Sequence, residues 1–230
     1  MWAPNVKPYI GVDLQARHLP MEDKYGDKHF QDDYLAPNLF IGTSLTDVFS
    51  IEGSRLKSNK KHKDPFYNPN EPVLGFDTTL SLNTIDQALY HVAKSQVDGW
   101  FLHLIGEYPV WENTTAFLGL GASFLKMHFS SRQFSSDPIQ DETMPFPVEW
   151  NTNHKAVFRA SLGLKHMFMK CFGMRAQVAW ENTSKLSAKT LADPILPPPN
   201  IPAHYYEAKL KNSTFFSLGV FYQFPENLLA

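Results

Sequence analysis

One period dominates this chain. Apolar and polar side chains alternate residue by residue through segments of about ten residues, each bounded by turn chemistry, and a period of two builds strands with one apolar and one polar face. In residues 9–17, Ile10, Val12, Leu14 and Ala16 alternate with Tyr9, Gly11, Asp13, Gln15 and Arg17. The pattern returns often enough to predict eight strands, over 8–18, 37–45, 48–57, 98–109, 115–128, 155–167, 171–182 and 212–224. Residues 84–93 offer at most a short helix or a strand extension within a loop.

The connections alternate in length. Short turns fall near Thr46-Asp47, 110–113 and 167–170, whereas long loops cover roughly 19–34, 57–97, 129–154 and 183–211. A chain that passes repeatedly through a long loop and a short turn predicts an all-β, antiparallel up-and-down barrel with different surroundings at its two ends. Membrane barrels show this asymmetry, with short periplasmic turns and long external loops.

The alternation leaves open which face is inside. Glycines recur on the polar face (Gly11, Gly42, Gly119, Gly121, Gly163, Gly219), which suits the crowded interior of an eight-stranded barrel. The apolar face carries Trp100, Tyr108, Trp180, Tyr222 and Phe224 towards strand ends, as interfacial girdles do. The expectation is therefore a membrane barrel with its polar face inward, preferred to a soluble barrel of opposite sense. Strands of this length match a tilted span of the hydrocarbon layer, and closure satisfies every backbone group there.

Composition fits this way of living in a membrane and excludes others. No run approaches the ~18 uninterrupted apolar residues of a membrane helix, and mean hydropathy is −0.30, yet 43% of residues are apolar and 14% aromatic. Disorder is excluded, and a net charge of −2 from 21 basic and 23 acidic residues gives no footprint for nucleic acid. A single cysteine, Cys171, excludes an internal disulfide framework and a four-cysteine zinc site. The opening residues have neither a basic nor an apolar signal region, so the barrel reading carries the expectation that a signal has been removed.

The sequence resembles the opacity-like family of eight-stranded outer-membrane proteins of Gram-negative bacteria, and the related OmpA- and OmpW-like barrels. The resemblance rests on Pro8-Tyr9-Ile10-Gly11-Val12-Asp13, on Asn38-Leu39-Phe40-Ile41-Gly42 turning into Val48-Phe49-Ser50-Ile51-Glu52-Gly53, on Phe117-Leu118-Gly119-Leu120-Gly121-Ala122, and on the closing 216–224. It implies one barrel domain over 1–230, located in the outer membrane as a monomer. The implied function is an adhesin, surface antigen or envelope-integrity protein; the alternative is a small pore or an OmpW-like transporter of small or hydrophobic molecules. The implied partners are outer-membrane lipids and lipopolysaccharide, host-cell surface molecules and the outer-membrane assembly machinery. No cofactor and no metal are expected. Such families usually end on an aromatic residue that the assembly machinery reads; here 225–230 follow Phe224, a departure that bears on assembly.

Candidate site residues fall into two groups. The lumen face carries Asp13, Glu52, Glu107 and Glu181 against Arg17, Arg159, Lys165 and Arg175, with His103 among them, and a turn near Lys170 sets Arg159 opposite Glu181. Balanced charge predicts a pairing network that closes the lumen. In the loops, Lys57, Lys60, Lys61 and Lys63 form a basic run fit for lipopolysaccharide phosphates or anionic glycans, and Tyr205 and Tyr206 flank a stiff proline-rich stretch, 194–202. An enzymatic alternative follows from His128-Phe129-Ser130-Ser131, which is similar to the His-x-Ser-Asn of lipid A deacylases but lacks the Asn. His166, Met167, Met169 and Cys171 read as turn packing rather than soft-metal ligands.

Overall fold

The computed structural model describes residues 6–23, 30–66, 89–135, 148–153, 155–191 and 205–225. Within them the strands are β1 (Lys7–His18), β2 (Met21–Asp23), β3 (Asp33–Ser44), β4 (Phe49–Lys57), β5 (Lys61–Phe66), β6 (Leu89–Trp111), β7 (Thr114–Ser135), β8 (Val148–Asn151), β9 (Ala156–Met167), β10 (Phe172–Glu181), β11 (Ser187–Leu191), β12 (Tyr205–Leu210) and β13 (Ser213–Gln223).

Eight of these strands close on themselves in the order β6-β4-β3-β1-β13-β10-β9-β7, and β7 pairs back to β6, every pair antiparallel. Ladder partners followed once around the wall run from Phe124 through Trp100, Arg55, Leu39, Val12, Val220, Met174 and His166 to Thr114. The circuit thus returns to β7 ten residues lower (124 − 114). Eight strands with that stagger tilt by about 40° and leave an interior that side chains fill.

The short connections have local causes. Between β3 and β4, Thr46 Oγ1 accepts from the backbone N–H groups of Val48 (3.2 Å) and Phe49 (3.0 Å), a hydroxyl-made turn. Between β6 and β7, Asn113 takes φ 65°, a left-handed conformation that Asn tolerates better than most residues. Pro109 was expected to end its strand. Instead β6 passes through it to Trp111 with a register shift between the two, since a proline is accommodated in a strand at an irregularity in the ladder.

The polar face is inside. Along β1 the buried set is Tyr9, Gly11, Asp13, Gln15 and Arg17, while Ile10, Val12 and Leu14 are exposed. Exposed apolar residues continue around the wall, with Ile41 at 62% and Leu162 at 64% accessibility, a band far larger than soluble monomers carry. Among the described residues no helix is long and apolar enough to cross a membrane. Aromatic residues border the band: Trp100, Phe124, Phe158, Trp180 and Phe216 towards the long loops, Phe49, Tyr108, Trp111, Phe172 and Tyr222 towards the short turns.

The polarity inverts where the strands leave this band. On β7, Leu118 and Leu120 point outward and Gly119 and Ser123 inward, but beyond Phe124 it is Leu125, Met127 and Phe129 that are buried and Lys126, His128 and Ser130 that face out. On β6 Val97 is buried and Asp98 faces out; on β4 Leu56 is buried between Arg55 and Lys57. Below Phe124 the outer surroundings are hydrocarbon and above it they are water, so the apolar half of the alternation changes sides.

This inversion overturns the expected loop boundaries. The loops set at 57–97 and 129–154 contain the upper arms of β6 and β7, which begin at Leu89 and end at Ser135. They support β5 and β8, while β11, β12 and β2 form a three-stranded sheet joined to the segment after β8 by a Thr152–Ala188 bridge. Inside this collar Leu19, Phe30, Tyr34, Leu56, Val97, Phe101, Met127, Phe129, Leu186 and Leu210 form an apolar core of the kind soluble domains have.

Candidate functional site: the lumen and its rim

The lumen is occupied at three levels by buried side chains from all eight barrel strands. At the short-turn end Tyr9, Phe40 and Phe221 pack edge to face, with Tyr9 centroids 6.3 Å from Phe40 and 6.2 Å from Phe221. Beside them Lys165 Nζ lies 2.6 Å from Glu107 Oε1, which also accepts from Ser50 Oγ at 2.7 Å, and over the Tyr9 ring at 4.9 Å.

The middle level holds two ionic triads. Arg175 donates from Nη1 to Glu52 Oε2 (2.6 Å) and from Nη2 to Asp13 Oδ2 (2.5 Å), its guanidinium 3.3 Å from the Phe40 centroid. Tyr9 Oη donates to Glu52 (3.2 Å), and Asn38 Nδ2 to Asp13 (3.3 Å). The second triad inverts the arithmetic, because a single carboxylate, Glu181, serves two arginines. Arg17 donates to its Oε2, Arg159 Nη1 lies 3.6 Å from its Oε1, and Ser123 Oγ donates to Oε1 at 2.8 Å.

One triad carries two acids and one base, the other two bases and one acid, so each neutralises the other. Gln15 joins them, donating to Asp13 Oδ1 (3.1 Å) and accepting from Arg17 Nη1 (2.9 Å). Both arginines of the second triad lie over aromatic faces: Arg159 is 4.4 Å from the centroids of Phe101 and Phe215, and Arg17 is 4.5 Å from Phe215. These contacts partly offset the desolvation of the guanidiniums. Arg17, Arg159 and Arg175 are among the largest fully buried side chains described. The third level is the apolar collar core.

The structure therefore brings together Asp13, Arg17, Glu52, Arg159, Arg175 and Glu181, with Glu107–Lys165 as a separate pair beneath. The ladder sets Glu181 opposite Arg159, the partner expected from the turn position. His103 is buried beside Phe101 (6.3 Å between centroids), and its Nε2 makes no hydrogen bond within the protein. Ser123→Ala removes a neutral donor to Glu181. It is expected to cost about 1.5–3 kcal/mol, the range for hydrogen bonds to charged groups, read as a shift in urea midpoint for the barrel folded in lipid vesicles.

The loop candidates are placed differently from one another. Lys57 closes β4 pointing outward, Lys60 is exposed between β4 and β5, and Lys61 opens β5 half-buried. Lys63, also on β5, pairs with Ala93 of β6. Tyr205 and Tyr206, expected within an irregular loop, open β12 opposite Leu191 and Thr190. Residues 194–202 lie outside the described residues. His128 and Ser130 share the outward face of β7 in the collar, and the histidine hydrogen-bonds the Asn151 side chain, an amide where a catalytic pair would have an acid. His166 Nδ1 lies 2.9 Å from Thr114 Oγ1 next to the 168–171 turn.

The expected site residues omit Arg55 and Lys126, which face outward where the polarity inverts, and Lys155, exposed just before β9. Their signal was readable as a change of phase, with apolar residues at even positions up to Phe124 and at odd positions in Leu125, Met127 and Phe129.

No protein-family model and no curated protein matches the chain. Solved structures match it by shape. The outer membrane protein OprG from Pseudomonas aeruginosa superimposes with a TM-score of 0.51 at 11% identity, over 95% of this chain and 96% of that one. Neisserial surface protein A gives 0.49 at 10% identity over 94% and 97%, and the attachment invasion locus protein Ail of Yersinia pestis gives 0.46 at 13% over 95% and 97%. At such identities the likeness concerns the fold: a closed, eight-stranded, antiparallel barrel of the outer-membrane type.

Proposed function

We propose that this chain is a bacterial outer-membrane surface protein whose barrel is a closed stake and whose collar meets other molecules. The observation that carries the reading is the division of labour along the axis. Two mutually neutralising ionic triads fill the lumen at membrane height, and a separately packed β-structured collar rises above it. A transport protein needs a path, whereas here buried side chains from every wall strand converge on the axis. On this reading the protein acts as a monomer. Its partners are outer-membrane lipids and lipopolysaccharide around the wall, host-cell surface molecules at the collar, and the outer-membrane assembly machinery during biogenesis.

The test is cell binding by a non-adherent bacterium displaying the protein, against a barrel in which the long connections are replaced by short turns. The full chain is expected to confer binding and the trimmed barrel, still showing a heat-dependent shift on SDS gels, to lose it. Equal binding by the two, or none by the full chain, would overturn the adhesive reading.

A further inference from the structure

The outward-facing cations at the polarity inversion are not spread evenly around the wall. Arg55 and Lys57 face out on β4 and Lys126 faces out on β7; Lys155 is exposed immediately before Ala156, the ladder partner of Phe124, and the acid among them is Asp98 on β6. Lys57, Asp98 and Lys126 are ladder neighbours in one row, so this sector carries four positive charges against one negative. On the opposite wall, the outward positions at the upper ends of β1, β3 and β13 are His18, Asp33 and Thr214, with His18 Nδ1 2.8 Å from Asp33 Oδ1. Those three outward ladder positions carry no excess of fixed cations.

Height matters as much as sign. Trp100 and Phe124 belong to the aromatic border of the hydrocarbon band, and Asp98 and Lys126 lie two residues further up, about 5 Å along the axis of a tilted barrel. The cations therefore lie where the phosphates of an outer-leaflet lipid lie. They also form two pairs, one on β4 and one at β7–β9, separated by β6, about 10 Å apart at the usual strand spacing. The Arg55 guanidinium is 4.6 Å from the Trp100 centroid and held only loosely by Asp98, at 3.9 Å, which leaves its donors available for phosphate oxygens.

We propose that this sector of the outer wall binds the diphosphorylated disaccharide head of lipid A, the outer-leaflet part of lipopolysaccharide. One phosphate meets Arg55 and Lys57, the other meets Lys126 and Lys155, and Trp100 lies under the sugar between them. A phospholipid with a single phosphate satisfies one cation pair and leaves the other unmatched. The site stands apart from the adhesive reading, because it is on the wall and not on the collar's loops.

The test is native mass spectrometry of the purified barrel in detergent with added diphosphoryl lipid A, dephosphorylated lipid A or phosphatidylglycerol. The wild-type protein is expected to retain diphosphoryl lipid A at least tenfold more tightly than the other two. The variant R55Q/K57Q/K126Q/K155Q is expected to lose that preference while keeping its heat-dependent gel shift, and K60Q/K61Q, in the adjoining connection, to keep it. Should the fourfold variant fail to fold, R55Q and K126Q separately are each expected to bind about threefold more weakly. Unchanged binding in these variants, equal retention of phosphatidylglycerol, or an equal loss in K60Q/K61Q would overturn the proposal.

Discussion

Glu181→Gln is expected to lower the stability of the folded barrel by about 3–5 kcal/mol, the cost of stripping a buried charge of its partner. Glu181 is the carboxylate of its triad, and it and both arginines have side chains no more than 1% accessible. Neutralising it leaves Arg17 and Arg159 facing each other between Phe101 and Phe215 with no carboxylate in ion-pair contact, Asp13 being reached only through Gln15. Little hydrogen bonding remains to compensate, since Arg17 Nε and Arg159 Nε and Nη1 already lack partners within the protein. Asp13→Asn makes the contrast, because Arg175 keeps Glu52 at 2.6 Å; its cost is expected at about 1–3 kcal/mol. Urea titrations of each variant in lipid vesicles check the order. A Glu181→Gln barrel as stable as wild type would mean that the second triad is not dry. Adding Arg159→Met to Glu181→Gln removes one orphaned charge and is expected to restore part of the loss.

Leu104→Arg is expected to cost about 2–4 kcal/mol through a different mechanism, exposure of a cation to hydrocarbon. Leu104 lies four residues from Trp100 and four from Tyr108 on the outer face of β6, midway between the aromatic borders, and is 52% accessible. In a soluble barrel an arginine there would meet water at almost no cost, so this substitution separates the two senses of the fold. Val48→Arg, exposed in the turn between β3 and β4, serves as the depth control and is expected to cost no more than about 1 kcal/mol. Folding yields and urea midpoints in vesicles measure both. Equal tolerance at the two positions would remove hydrocarbon from around the wall.

The membrane-level barrel was legible because its signal is local. A strict period of two assigns each residue a face, and a turn position then fixes register between consecutive strands, which is how Glu181 comes to be paired with Arg159 before any coordinates are considered. The pairing of Asp13 with Arg175 is a different kind of fact. These residues are 162 apart in sequence and meet across the lumen only once the wall is closed with its ten-residue stagger, a global quantity that no single segment encodes. The same holds for Arg17 and Glu181. The upper arms of β6 and β7 were missed for a third reason. Assigning one sense of alternation to a whole strand treats its surroundings as uniform, and Leu125, Met127 and Phe129 break that sense because the strand passes from lipid into water. Of the cations of the wall only Lys57 is legible as a candidate from the sequence, since Arg55 and Lys126 gain meaning only as outward polar residues at and above an aromatic border.

Closure of the lumen by the two triads is the claim on which the functional reading turns, and electrical recording from the purified full-length protein in a planar bilayer tests it most directly. The stacked triads, sealed by aromatic packing below and the collar core above, predict a flat baseline across the applied voltage range. Stable, reproducible current steps from the pure protein would contradict it and make passage through the barrel its function.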